Sequence, residues 1–233
     1  MLQAINERIQ EAQNEKEARV IILSSQPPVF SAGHDLKELT TSKGKSFHEK
    51  VFAECTKLMT MLRGSRLPII AEVKSLAAAA GCQLVASCDI VVAGHSAKFA
   101  TPGARAGIFC STPGVAIARS VPRKVAMDML LVGDPISAQE ALRVGLVSRV
   151  VPDEDVEKIA LDIATKICSL SKPVIELGKK FFNEQVDLTV QDAYRKAEKV
   201  MVENLRLIDA QEGLKAFIEK RVPSWTHDSE TCH

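Results

Sequence analysis

Three short apolar runs constrain this chain more than any other feature. Residues 18–25 read ARVIILSS, residues 67–73 read LPIIAEV and residues 89–94 read DIVVAG. Each is too short for an ordinary helix and apolar on both alternating faces, so each reads as a strand buried on two sides. Between them lie segments with a helical period. Leu2, Ile5, Ile9 and Ala12 predict an amphipathic helix over 1–17. Phe47, Val51, Phe52, Cys55, Leu58, Met59 and Leu62 mark the apolar face of a second. Strands alternating with helices at this spacing predict an α/β fold with helical crossovers.

Farther along, VSRVVP (147–152) reads as a later strand. Ahead of it, Ser137 with Glu140 fits a capping box, and Gly145 fits a helix stop. Beyond Asp153 the pattern is nearly all helical. Val156, Ile159, Ile163 and Ile167 give one helix, 173–185 another, and 188–220 two more. No internal repeat or long linker is visible. The chain therefore divides into a sheet-and-helix core over 1–152 and a helical region over 153–233.

With 233 residues, 46% of them hydrophobic, there is enough apolar material for one sizeable core. A net charge of +1 gives no general attraction to nucleic acid or to an anionic membrane surface. Lys43, Lys45, Lys179 and Lys180 form small groups that read as solvated faces. None of the six cysteines forms a C-x-x-C pair, so no metal site is expected, and a reducing compartment fits free thiols in apolar surroundings. No apolar run reaches the roughly 18 residues of a membrane helix. The opening MLQAINERIQEAQNEKE has neither a signal-peptide core nor the Arg-rich character of a transit peptide.

Two small-residue corners carry the functional reading. After the first strand comes SAGHDL (31–36), where Gly33 permits an unusual backbone angle and HDLKEL can start a helix. After the second comes AAAAG (77–81), which carries almost no side chains and precedes another helix. Taken alone, each has a plain explanation: an Asp-capped turn, and a small-residue run that lets a helix press on a sheet. Together they offer free backbone N–H groups at two ligand-accessible corners, the requirement for an oxyanion hole.

These pieces resemble the enoyl-CoA hydratase/isomerase, or crotonase, superfamily. The matching stretches are VIILSSQPPVFSAGHDLKEL, PIIAEVKSLAAAAGCQLVASCDIVVA, KFATPGARAGIFCSTPG, SAQEALRVGLVSRVV and EGLKAFIEKRVPSW, in family order. The resemblance implies a spiral of ββα units with a helical C-terminal region that builds trimers or hexamers. It implies an acyl-CoA thioester as ligand or substrate, no further cofactor, and lipid chemistry in mitochondria. The family's first strand, before the opening helix, has no counterpart in this chain. Carried over by position, the oxyanion donors are the backbone amides of His34 and Ala80, and Asp35, Leu36 and Lys37 continue the segment along the CoA. The His34 side chain could take part in proton transfer, or else face solvent or form a structural hydrogen bond.

Family hydratases work with two glutamates, and neither is here. Gln83 stands at the first position and Gly103 at the second. An amide is no base near neutral pH, and each missing acid–base group costs roughly 10²–10⁴ in rate. Restoring Gln83→Glu with Gly103→Glu is expected to return hydration if the two corners are intact. Possible substitutes have plainer roles: Arg105 as a salt-bridged residue, Cys82 and Cys110 as packing thiols, Ser111 and Thr112 as turn formers before Pro113, Asp89 as a structural carboxylate. Glu72, in an apolar strand, sits either at an edge or beside a shielding partner. Three functions follow: an acyl-CoA-binding protein suited to enolate chemistry such as decarboxylation, a non-catalytic thioester sensor or interaction subunit, and a hydratase or lyase with atypical residues.

Overall fold

The computed structural model describes residues 1–26 and 28–232. Pro27, in the Pro27–Pro28 pair that would end the first strand, lies outside the described residues, as does His233. The chain begins with α1 (Leu2–Asn14) and β1 (Ile21–Leu23). Then follow α2 (Lys45–Gly64), β2 (Ile69–Val73), β3 (Leu76–Ala78), α3 (Ala80–Ala86), β4 (Ile90–Gly94) and β5 (Lys98–Ala100). After them come α4 (Ser111–Ser120), α5 (Arg123–Leu131), β6 (Ile136–Ser137), α6 (Ala138–Arg143) and β7 (Arg149–Val151). The helical region holds α7 (Val156–Cys168), α8 (Lys172–Gln185), α9 (Val190–Arg206) and α10 (Ile208–Glu219).

The three apolar runs form adjacent parallel strands in a sheet of order β1-β2-β4-β7. A parallel sheet needs cover on both faces, and that is why these strands lack polar alternation. Every residue of β2 is buried. On one side Ile70 and Val92 meet Val156, Ala160 and Ile163 of α7. Elsewhere Ile69 packs with Ile9 of α1 and with Leu58 and Leu62 of α2. A second sheet, β3-β5-β6, pairs β3 with β5 in parallel and β5 with β6 antiparallel. Its strands are two or three residues long, below what hydrophobic periodicity can reveal.

Glu72 is shielded, not at an edge: Lys74 Nζ lies 3.3 Å from its carboxylate. Asp89 is structural, as expected. Its Oδ2 accepts from the Ile69 amide at 2.7 Å and from Lys179 Nζ at 2.6 Å. Lys179 corrects the reading of that lysine pair as a solvated face. Its side chain is 7% exposed and also donates to the carbonyls of Leu62 and Leu67, which fastens α8 under the sheet. Ser137 caps α6 by accepting from the Glu140 amide, and Gly145 turns the chain at φ +89°. Ser111 and Thr112 open α4 and do not form the turn expected before Pro113, so Pro113 sits in that helix's first turn.

The C-terminal segment is held by a device that the sequence did not disclose. Asp209 at the start of α10 is fully buried. It accepts from Ser171 Oγ, from the Thr226 amide and hydroxyl, and from the His227 amide, all within 3.1 Å. Burial raises its pKa, but these hydrogen bonds outweigh burial and hold the carboxyl below its usual range.

Candidate functional site

The two corners are stitched together by main chain. Phe30 and Ser31 donate their amides to the Leu76 carbonyl, and Ala78 returns an amide to the Ser31 carbonyl at 2.8 Å. Ser31 and Ala77 thus form a one-residue parallel bridge. Gly81 must be glycine for this approach, since a Cβ there would lie 2.5 Å from the Ser31 carbonyl oxygen. Gly33 turns the first corner at φ +93°. A Cβ on it would lie 2.9 Å from Ala79 Cβ and 3.2 Å from the Ala80 nitrogen. His34 follows Gly33 directly, so its amide and that of Ala80 belong to neighbouring stretches of backbone.

Neither amide donates to any described residue. Ala80 is the first residue of α3, where an N–H has no partner within the helix. The backbone strain sits one residue earlier. Ala79 adopts φ 50°, ψ −117°, which a side chain tolerates at a cost of about 1–3 kcal/mol. The Ala79 amide is itself tied to the Ala100 carbonyl at 2.9 Å, so β5 helps hold the strained turn.

Both corners line one cavity of about 910 Å³. Its walls are largely apolar: Leu23, Phe30, Val51, Leu58, Met59 and Leu84 belong to them. Asp35, Glu38, Lys50 and Glu54 supply charge. Asp35 caps a single 3-10 turn over Leu36–Leu39, its carboxylate accepting from the Lys37 amide at 2.9 Å. The helix expected from HDLKEL is therefore only that turn, and α2 begins after Gly44. Leu36 and Lys37 lie outside the cavity wall, with Leu36 exposed. Of the apolar face of α2 read from the sequence, Phe47, Val51, Leu58 and Met59 form part of this wall.

The imidazole of His34 is half-buried and forms no hydrogen bond to a described residue. Its Nε2 is enclosed without a partner among the described residues. The ring meets Phe52 edge-on at 5.5 Å. Burial lowers its pKa below 6.5, only partly offset by Glu38, so it is neutral at pH 7.

The positions of the two absent acids do not line the cavity. Gln83 is buried in α3, with its amide oxygen 3.8 Å from Cys55 Sγ. Gly103 is closed over by its own loop, where the Ile108 amide donates to its carbonyl and its amide contacts Cys110 Sγ at 3.3 Å. A Cβ at 103 would lie 2.2 Å from the Ile108 carbonyl oxygen and 2.6 Å from Cys110 Sγ. The expectation that two glutamates would restore hydration is corrected accordingly: no side chain enters at 103 unless this loop moves. Arg105 is spent on Asp134 and on the Val132 carbonyl. Cys82 is fully buried with its thiol pushed up to about 12, which leaves no thiolate at neutral pH.

The sequence model described as Enoyl-CoA hydratase/isomerase matches residues 1–228. The chain belongs to the enoyl-CoA hydratase/isomerase family. Within it, the chain is 54% identical over 227 residues to mitochondrial enoyl-CoA hydratase domain-containing protein 3 of Xenopus laevis, a match covering 97% of this chain and 77% of that one. Against the crystal structure of the human protein of that name the TM-score is 0.94 at 52% identity, over 96% of this chain and 88% of that one. An enoyl-CoA hydratase of Mycobacterium smegmatis gives a TM-score of 0.94 at 40% identity, over 97% and 88%. The fold is the crotonase spiral of this enoyl-CoA hydratase/isomerase family, with its helical C-terminal region. Among the described residues no helix is long and apolar enough to cross a membrane.

Proposed function

We propose that the chain binds an acyl-CoA thioester, with the thioester oxygen accepting from the backbone amides of His34 and Ala80. One observation carries this reading: His34 and Ala80, whose amides donate to no described residue and which lie on backbone stretches that meet at Gly33, line the same cavity. A preorganised donor of this type is worth about 2.7–4 kcal/mol to a developing oxyanion. The apolar wall suits the acyl chain, and Asp35 on that wall leads into the Leu36–Lys37 segment assigned to the CoA.

Ordinary hydration is not the chemistry that this cavity favours. With neither carboxylate at 83 nor at 103, two factors of roughly 10²–10⁴ are absent. The site suits reactions in which an enolate forms and is stabilised, decarboxylation among them. The closed loop at Gly103 favours, as a second reading, a thioester sensor that binds without turnover. No further cofactor enters either account. The mitochondrial names of the relatives support placement there.

The helical region over 153–233 serves self-association in this reading, as a trimer or hexamer. Phe182, Tyr194, Met201, Phe217, Ile218 and Val222 are exposed large side chains on or beside α8, α9 and α10, the kind of surface that self-association covers. Purified protein given crotonyl-CoA tests the main proposal. Binding is expected, with turnover far below about 10 s⁻¹, the median for enzymes. Turnover within tenfold of that value would overturn the argument from the missing acids, and failure to bind any acyl-CoA would overturn the site.

A further inference from the structure

The mechanism so far uses only the main chain of His34, yet its imidazole is among the least explained groups in the cavity. It borders the cavity beside an unpartnered amide, is held neutral, and has Nε2 enclosed. Nδ1, by contrast, is not enclosed and bonds to no described residue. A neutral imidazole carries one proton and one lone pair. The tautomer with its proton on Nε2 leaves the Nδ1 lone pair open on the accessible side. Only Cα, Cβ and Cγ separate Nδ1 from the amide nitrogen proposed to hold the thioester oxygen. The carbon adjacent to the thioester carbonyl lies one bond from the carbon that bears this oxygen. A base on this short tether suits removal of a proton from that carbon.

We propose that the His34 imidazole is the proton acceptor of this cavity, taking a proton from the carbon next to the thioester carbonyl. The C–H bond breaks and its electron pair becomes the C=C bond of an enolate whose oxygen rests on the amides of His34 and Ala80. The proton goes to Nδ1 and forms an imidazolium. Return of a proton to the same carbon restores the thioester, so the cycle needs no oxidant, reductant or second substrate. This assignment rests on the proposed acyl-CoA site and adds a base to it.

The charged groups around the ring are Asp35, Lys37 and Glu38 on its own segment, and Lys50 and Glu54 on α2. From α3 come Ala80 and Leu84, and from α1 Leu2, Gln3 and Ile5, none with an ionisable side chain; Met1 ahead of α1 adds an α-amino group to this wall. Of these charged side chains, none has an ordinary pKa between 5 and 8, so a transition near or below pH 6.5 reports His34.

The test is α-proton exchange of butyryl-CoA in deuterium oxide, followed by NMR, with binding measured separately by calorimetry. Exchange above the buffer rate is expected in the wild-type chain, rising with pH through a single transition at or below pH 6.5 and then level. His34→Gln keeps the backbone donor and should still bind, with exchange lowered about 10²–10⁴-fold and the pH transition gone. Butyryl-CoA bound to the wild-type chain without exchange, or exchange that His34→Gln leaves unchanged, overturns the role of the base alone. No binding to the wild-type chain overturns the site beneath it. The wild-type pH profile decides the matter even if the variant does not fold.

Discussion

Gly33→Ala with Ala79→Gly offers a cycle in which stability and binding should part company. Alanine at 33 meets two penalties. A left-handed backbone costs an L-residue roughly 1–2 kcal/mol, and a methyl placed 2.9 Å from Ala79 Cβ is overpacking, typically worth about 1–3 kcal/mol. Gly33→Ala should therefore lose about 2–5 kcal/mol. Ala79→Gly alone relieves about 1–3 kcal/mol of strain at φ 50° and gives back about 0.5–1 in chain entropy, a net gain near 1 kcal/mol. In the double variant the short contact disappears, so the two changes should couple favourably by about 1–2 kcal/mol. The new methyl still lies 3.2 Å from the Ala80 nitrogen, where it crowds the proposed donor. Urea unfolding of the four proteins gives the coupling, and calorimetry with butyryl-CoA gives the affinity. The double variant should recover much of its stability and little of its affinity. Wild-type affinity in Gly33→Ala would refute the reasoning, because the corners would not then meet around the ligand as described.

Two further outcomes follow from buried polar groups. Both amide atoms of Asn6 are enclosed without a partner among the described residues, so Asn6→Leu should raise stability by about 1–3 kcal/mol, seen as a Tm increase of roughly 2–4 °C per kcal/mol. A fall in Tm would mean that this amide is satisfied. Asp209, with its lowered pKa, stabilises the fold fully above the unfolded value near 3.9 and loses that contribution as pH falls through its folded pKa. Asp209→Asn should then cost about 2–4 kcal/mol at pH 7, and the gap to wild type should narrow as the pH falls below the ordinary carboxylate range. A gap that is constant across this range would show the charge to be irrelevant.

The main sheet was legible because its strands are buried on both faces and so announce themselves as unbroken apolar runs. β5 and β6 were not, since two or three residues carry no period, and they exist through the pairing of β5 with β3 and of β6 with β5. The two corners could be read from Gly33 and the alanine run, because small residues constrain backbone geometry directly. Their joint use was expected from the paired corners and the family resemblance, but the Ser31–Ala77 bridge that brings these distant segments together could not be read from local pattern. Lys179 and Asp209 were missed for a related reason: a buried charge is recognised only by the partners that surround it. The closure at Gly103 was invisible too, because one glycine does not report that Ile108 and Cys110 fold back upon it.

The bridge between Ser31 and Ala77 has a consequence for what this scaffold can lose. In the proposed site, grip on the thioester is written into backbone N–H groups, which every residue except proline possesses. Reactivity is written into side chains, which a single codon can remove. A lineage built this way can shed one reaction and acquire another while its hold on the common handle of its ligands stays intact.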